Sequence, residues 1–238
     1  MADDTRATED NRTLVLAFYV VVDVSQSMDT SHALISANEI LPKVASAIDE
    51  SPMLADIVRF GAIDFSDDAR VVLRLCDLRK ETKLPTFTAR LRTSYAAAFR
   101  LLRSEIERDV AQLRSDGFRV YRPVVFFITD GLPTDDEKEL QDAYDALTGP
   151  EFKARPNILL FGVGGATKEA VDPWVYPKTG TKAMRSYVAR EGTDPRTAIA
   201  QVAEALVGSI IASANSVGDA GESGGFIPPG DEDLDDWI

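Results

Sequence analysis

Short, strongly apolar runs alternate along this sequence with longer segments whose apolar residues recur every three or four positions. The runs are of strand length and too short to cross a bilayer. This alternation predicts an α/β protein with a doubly wound sheet. Six segments are strand candidates: 14–22, 57–65, 71–75, 124–128, 157–163 and, more weakly, 182–188.

One strand candidate differs from the rest. Segment 71–75 alternates polar and apolar residues and follows a polar turn at 66–68, which favours a hairpin partner at a sheet edge. Pro42 interrupts the first helical segment and is expected to bend it or to mark a late start. The helical segments are 34–48, 94–114, 135–147 and 196–212.

The periodic pattern covers residues 13–215, which we interpret as a single domain. Residues 1–12 form a polar N-terminal tail. Residues 216–238 carry seven acidic and no basic residues, show no period, and are predicted to be a disordered acidic tail.

Charge and cysteine content narrow the choice of partners and compartment. The formal net charge of −13 argues against nucleic-acid binding and against docking on an anionic membrane. Cys76 is the only cysteine, so an intrachain disulfide is excluded, and a reducing cytoplasmic location fits best. No segment is judged long and apolar enough to cross a membrane.

Oxygen-bearing side chains follow two of the buried strands. Asp23 comes directly after the first strand, with Ser25 and Ser27 at two-residue spacing, and Asp130 follows segment 124–128. Thr93 opens the longest helix. The carboxyl ends of parallel strands meet at one sheet edge, where open α/β sheets bind ligands. An oxygen-only set with two carboxylates is the ligand type that hard divalent cations prefer.

This pattern resembles the metal-ion-dependent adhesion site of the von Willebrand factor A family. That site is built from Asp-x-Ser-x-Ser, a distant Thr and an Asp usually followed by Gly. Thr86 and Thr88 compete with Thr93 for the middle position, but neither opens a long helix. The chain departs from the family at Gln26, which is often Gly, and at Leu91-Arg92, where Gly often precedes the Thr. The resemblance assigns the cation shell to Asp23, Ser25, Ser27, Thr93 and Asp130.

The resemblance, which covers residues 13–212, implies a mostly parallel six-stranded sheet with one antiparallel edge strand and helices on both faces. It implies that Mg²⁺ or Mn²⁺, ahead of Ca²⁺, binds at the shell. It also implies a protein partner that donates an Asp or Glu carboxylate to the cation. Among family members the chain looks most similar to bacterial intracellular TerY-like proteins, which are associated with tellurite resistance, stress responses and kinase or phosphatase partners; an ATPase is a further expected partner.

The residues that flank the three ligand loops are expected to form the rim that a partner contacts. This rim combines polar and apolar side chains around a charged centre, as protein interfaces often do. Its predicted members are Gln26, Met28, Arg92, Ser94, Leu132 and Pro133.

The main alternative is a Mg²⁺-dependent phosphatase or phosphotransferase of the haloacid-dehalogenase type, with Asp23 as nucleophile. Such enzymes need a second Asp two residues later, where this chain has Ser25. Asp23 therefore lacks the acid that would protonate a leaving group. No phosphate-binding Gly-x-x-x-x-Gly-Lys-Ser/Thr loop occurs either. The sequence predicts a binding module rather than an enzyme.

Overall fold

A computed structural model describes residues 12–220, 224–230, 234 and 237–238. The predicted tail over residues 1–12 lies, except for Arg12, outside the described residues. The strands are β1 (Leu14–Asp23), β2 (Val58–Phe65), β3 (Ala69–Cys76), β4 (Arg119–Val120), β5 (Val124–Thr129), β6 (Asn157–Gly162) and β7 (Ser186–Val188). The helices are α1 (Gln26–Thr30), α2 (Ala33–Ala37), α3 (Ile40–Asp49), α4 (Pro52–Ile57), α5 (Tyr95–Ser115), α6 (Glu137–Thr148), α7 (Lys168–Val171) and α8 (Pro195–Ala220), with 3₁₀ turns at Leu78–Lys80 and Asp172–Trp174.

In the described part of the chain the strands form one seven-stranded sheet in the order β3-β2-β1-β5-β6-β7, with β4 paired to the start of β1. Only the β2–β3 pair is antiparallel, and it lies at one edge as predicted. The predicted fold class is confirmed. The predicted strand number is one too low, because the two residues of β4 are too few to show a period.

The sheet is covered on both faces, which explains why its central strands are apolar throughout. Every residue of β1 after Leu14 is buried. Successive side chains of a strand point to opposite faces. Phe127 accordingly packs on Tyr95 and Phe99 of α5. Its neighbour Phe126 packs on the other face, against Phe226.

The helices begin where the sequence offers a cap or a proline. Ser94 accepts a hydrogen bond from Ala97 N at the start of α5, and Asp136 accepts from Lys138 N and Glu139 N at the start of α6. The single helix predicted over 34–48 is divided into α2 and α3. Pro42 is the third residue of α3, in the first turn, where a missing N–H breaks no helical bond. The late-start interpretation of Pro42 is therefore the correct one.

The prediction of disorder after residue 216 is wrong for the described residues. Helix α8 continues to Ala220. Phe226 packs on Phe18 and Phe126, and Trp237 packs on Phe161. A few apolar anchors are enough to fix this segment, although the acidic composition around them lowers its average hydrophobicity.

The backbone of the C-terminal residues also extends the sheet. Val188 N donates to Ile238 O at 3.0 Å, and Ile238 N donates to Val188 O at 2.9 Å. The indole Nε1 of Trp237 donates to Gln201 Oε1 on α8 at 3.0 Å. The chain end thus covers the outer edge of β7, an edge that would otherwise present unpaired N–H and C=O groups.

Helix α8 is long and apolar enough, by length and composition alone, to span a membrane: its segment Pro195–Gly218 has a mean hydropathy of 1.5. The prediction that no segment meets this criterion is wrong. Just over half of this stretch, 56%, is buried, with Ile199, Val202, Leu206 and Ile210 fully enclosed at helical spacing. The helix packs against α2, α3 and α4, and a buried core helix meets the same criterion.

Candidate metal centre

The candidate site lies at the carboxyl ends of β1 and β5. These two parallel strands are neighbours in register, with Val22 opposite Ile128, so Asp23 and Asp130 leave the sheet side by side. From β1 the sheet extends through β2 in one direction and through β5 in the other, which makes this the point where the strand order reverses. Ligand sites in open α/β sheets form at such a point.

Four of the five predicted ligands form one hydrogen-bonded cluster. Ser27 Oγ donates to Asp130 Oδ1 at 2.8 Å, and Ser25 Oγ lies 3.1 Å from Ser27 Oγ and 3.5 Å from Asp130 Oδ1. The backbone N–H of Ser25 donates to Asp23 Oδ1 at 2.8 Å. Asp23, Ser25 and Asp130 are buried, whereas Ser27 is exposed. The cluster is therefore reachable from solvent on the Ser27 side.

Thr129 and Tyr95, which were not predicted as site residues from the sequence, orient these ligands through hydrogen bonds. Thr129 Oγ1 donates to Asp23 Oδ2 at 2.8 Å, so both oxygens of that carboxylate are oriented by hydrogen bonds. The Tyr95 hydroxyl, on α5, lies 3.1 Å from Thr129 Oγ1 and donates to Gly131 O at 2.8 Å. The only sequence signal was the position of Thr129 at a strand end next to a candidate ligand. Tyr95 fits the apolar periodicity of α5, so the sequence pattern indicates a core residue rather than a site residue.

Thr93, the fifth predicted ligand, is buried at the same edge and is held through its backbone. Its carbonyl accepts from Thr134 N at 2.8 Å and from Thr134 Oγ1 at 3.0 Å. The next residue, Ser94, donates through its N–H to Ser66 O at 2.6 Å and through its hydroxyl to Asp135 Oδ1 at 2.5 Å. These bonds tie the loop that carries Thr93 to the loops after β2 and β5.

Arg90 also anchors the loop that carries Thr93, through its backbone N–H and its guanidinium group. Its N–H donates to Val24 O at 2.6 Å, and its guanidinium pairs with Asp64 at 2.5 Å and with Asp68. The competing candidates Thr86 and Thr88 are exposed. The structure thus places Thr93, rather than these two, in a buried position at the ligand edge.

The surroundings of Asp23 and Asp130 disfavour the ionised form of both carboxyl groups. Burial, opposed by hydrogen bonds from Ser25 and reinforced by repulsion from Asp130, raises the pKa of Asp23 to about 6. Burial also raises the pKa of Asp130. Neither carboxylate forms an ion pair with any Lys, Arg or His in the described part of the chain.

The donor set fits a hard divalent cation. Two carboxylates without a protein counter-charge, together with adjacent hydroxyls, offer hard oxygens and a negative potential, and no softer ligand stands among them. Within the described residues no group of three or more His, Cys, Asp or Glu side chains could hold a metal. The candidate shell has only two acids, so it depends on its hydroxyl oxygens.

The predicted rim is only partly accessible. Gln26 and Arg92 are exposed, and Leu132 is 67% exposed. Pro133 is half-buried. These four residues flank the ligand loops in the sequence and retain some solvent exposure.

Two rim residues do not have the expected environment. Met28 is fully buried in the core on the inward face of α1, so its inclusion in the rim is wrong. Ser94 is half-buried, and its hydroxyl is engaged by Asp135. Leu91, which was not predicted as a rim residue, is 73% exposed beside Arg92.

Comparison with known proteins supports the fold and gives a family match over part of the chain. The family profile described as von Willebrand factor type A domain matches residues 18–132. The fold is similar to a von Willebrand factor type A structure from Catenulispora acidiphila, with TM-score 0.56 and 17% identity over 84% of this chain and 43% of that one. It is also similar to proximal thread matrix protein 1 of the mussel byssus with a zinc-occupied MIDAS motif, with TM-score 0.57 and 15% identity over 84% and 48% of the two chains.

A minor pilin, PilB, from Streptococcus sanguinis is a further structural relative, with TM-score 0.51 and 10% identity over 86% of this chain and 63% of that one. The profile match over residues 18–132, just under half of the chain, contains all five predicted ligands. A search of curated proteins found no match. The chain spans less than half the length of the first two structural relatives.

Proposed function

We propose that this domain is a divalent-cation-dependent protein-interaction module. Asp23, Ser25, Ser27, Thr93 and Asp130 would hold the cation, which would be Mg²⁺ or Mn²⁺ ahead of Ca²⁺. The observation that carries the proposal is the pair of buried, adjacent carboxylates that are both hydrogen-bonded to Ser25 and lack a basic partner among the described residues. The zinc-occupied MIDAS motif of the byssus protein supports divalent binding at a site of this family.

The bound cation would supply a positive centre for an anionic group from outside. Two carboxylates balance its charge without filling its coordination shell, so an Asp or Glu carboxylate of a protein partner is the group that fits. The attraction is strong because Asp23 and Asp130 are shielded from water. Gln26, Arg92, Leu132 and Pro133 would contact the partner around that carboxylate, with Leu91 added to the predicted rim.

The haloacid-dehalogenase alternative receives no support from the fold or the family match. Both oxygens of Asp23 are already engaged by Ser25 and Thr129. The TerY-like subgroup, a role in a bacterial stress-response assembly with a kinase, phosphatase or ATPase partner, and the cytoplasmic location stay predictions from the sequence. So does the absence of nucleic-acid and membrane partners.

Calorimetric titration of the full chain with Mn²⁺ and Mg²⁺ tests the cation shell. We expect one site per chain, and we expect Asp130→Asn and Thr93→Val to weaken it about tenfold or more, because each removes an oxygen ligand at nearly unchanged side-chain volume. Asp130→Asn also removes one of the two charges that attract the ion.

Asp136→Asn is the matched control. Asp136 caps α6 a few residues beyond the shell, and Asn caps helices equally well, so this variant should fold and bind the cation like the wild type. Wild-type affinity in both Asp130→Asn and Thr93→Val, with folding shown by circular dichroism, would overturn the assignment of the shell.

A further inference from the structure

A cluster of basic side chains lies at the amino-terminal edge of the sheet, opposite the candidate metal centre. Two cavities of about 140 and 310 Å³ lie here and share Tyr121 and Arg122 in their walls. Together they form what we call the basic groove. Its cationic side chains are Arg114, Arg122, Lys153, Arg155 and Lys182.

The elements of the fold bring these residues together from distant parts of the sequence. Arg114 lies in the last turn of α5, and Arg122 lies between β4 and β5. Lys153 and Arg155 precede β6, and Lys182 precedes β7. Parallel strands start at the same sheet edge, so the segments that lead into them converge there. No local charge run in the sequence indicates this groove.

The groove cations differ from the ten other basic side chains that pair with an acid in the described part of the chain. Elsewhere Lys43 pairs with Glu204 at 3.2 Å, and Arg100 pairs with Glu139 at 2.7 Å. None of the five groove cations forms an ion pair with a residue that the structure describes, and no described acidic side chain lines either cavity.

Among the described residues, two of the groove cations make weak contacts to a backbone carbonyl. Lys153 Nζ and Arg155 Nη1 donate to the Pro150 carbonyl at 3.4 and 3.3 Å. A backbone carbonyl does not neutralise a cation, so the full positive charge faces the groove. Such a cluster stands out in a chain with a formal net charge of −13.

Apolar side chains also line both cavities, among polar and cationic ones. Val110, Pro123 and Ala154 line the smaller cavity, and Met184 and Phe226 line the larger one. Cations interspersed with apolar side chains match a peptide that carries both acidic and apolar side chains. A long phosphate backbone or a membrane surface extends beyond the groove and would meet the repulsion of the acidic remainder of the chain, whereas a short peptide can stay within the groove.

We propose that the basic groove binds an acidic peptide segment of a partner protein, independently of the cation site. The two sites lie at opposite ends of β5, about 20 Å apart at about 3.3 Å per residue. Binding at the groove therefore needs no divalent cation, and its failure would leave the proposed function of the metal centre untouched.

Fluorescence anisotropy of the full chain with a short labelled peptide that alternates Glu with Phe tests this proposal. We expect binding that persists in excess chelator and weakens with added NaCl, because the attraction is screened. Arg122→Glu and Arg155→Glu should each weaken peptide binding about fivefold or more. Each charge reversal removes an exposed ion pair worth about 1 kcal/mol and adds a repulsion between like charges.

Arg196→Glu is the matched control, since it makes the same charge change on an exposed arginine at the start of α8, near the other sheet edge. It should leave peptide affinity unchanged, and thermal melting verifies that each variant folds. The proposal is overturned if a Gln-for-Glu peptide binds equally well, if Arg196→Glu acts like Arg122→Glu, or if only phosphatidylserine vesicles or an oligonucleotide bind in a groove-dependent way.

Discussion

At the scale of single residues, Asp23 is the group whose environment departs most from that of a surface carboxylate. It ends the central strand, has no exposed surface, and faces a second carboxylate at Asp130. In the absence of a cation its ionisation opposes folding, because the charge must be buried. The hydrogen bonds from Ser25 and Thr129 offset only part of this cost.

Replacing Asp23 by Asn should therefore stabilise the cation-free protein as the pH rises. The pKa of Asp23 is about 6 in the folded chain and about 3.9 in an unfolded one, so its contribution favours folding below about pH 4 and is lost as the pH rises to about 6. We expect the stability of Asp23→Asn relative to wild type to increase by about 2 kcal/mol between pH 4 and pH 7.

Urea denaturation in chelator at the two pH values measures this change. Asp136→Asn, at an exposed carboxylate, is the control and should show no such increase. A difference between Asp23→Asn and wild type that does not vary with pH would show that Asp23 titrates normally.

Asp23, Ser25 and Ser27 could be singled out because their spacing is local, and Asp130 because it follows a strand end, whereas the assignment of all five residues as a cation shell stays a prediction. The residues that orient them could not be predicted. Thr129 reaches Asp23 and Tyr95 reaches Gly131 across large sequence separations, and no local pattern encodes such contacts. Met28 was misplaced for a related reason: proximity to the ligand loop does not fix which face of a short helix points inward.

At the scale of elements, apolar period and length predicted the long helices and the buried strands well. Strand β4 and the C-terminal residues paired with β7 were not predicted, because their backbone hydrogen-bond partners lie in distant segments of the sequence. The C-terminal segment shows most clearly that average composition does not determine whether a segment packs on the domain. Trp237 is 7% exposed, and its surroundings come from β6 and α8 rather than from its own neighbours.

Trp237→Ala should consequently lower the free energy of unfolding by about 3 kcal/mol. The substitution leaves a cavity against Phe161 and removes the hydrogen bond to Gln201. Ile238→Ala is the comparison, because Ile238 is 63% exposed and joins the sheet by its backbone, so its side chain should matter by less than about 1 kcal/mol. Chemical denaturation of both variants measures the difference, and equal effects would contradict the packing of the indole.

At the scale of the whole molecule, the carboxyl ends and the amino ends of the strands carry side chains of opposite charge. Asp23 and Asp130 occupy the carboxyl edge, and the basic groove occupies the amino edge. Strands β1 and β5 run from one edge to the other and are buried along almost their whole length. A rigid sheet of this kind keeps two binding surfaces at a fixed distance.

Saturation with Mg²⁺ or Mn²⁺ should stabilise the whole domain, because the ion binds the folded chain and not the unfolded one. At about a 100-fold excess over Kd the gain is about 2.7 kcal/mol, which for a chain of this size corresponds to a Tm increase of about 5–10 °C. Differential scanning fluorimetry measures the shift. An increase of the same size in Asp130→Asn would place the ion elsewhere.

The position of β1 between β2 and β5 has a further consequence for hydrogen exchange. Its amide protons are hydrogen-bonded in the middle of the sheet, so they should exchange with deuterium only when the whole domain opens. Asp23 is thus attached to the slowest-exchanging segment, whereas Thr93 and Asp130 stand on loops that can open locally. Slower deuterium uptake in those loops would report a bound ion directly, and slower uptake in β1 would report the gain in stability of the whole domain.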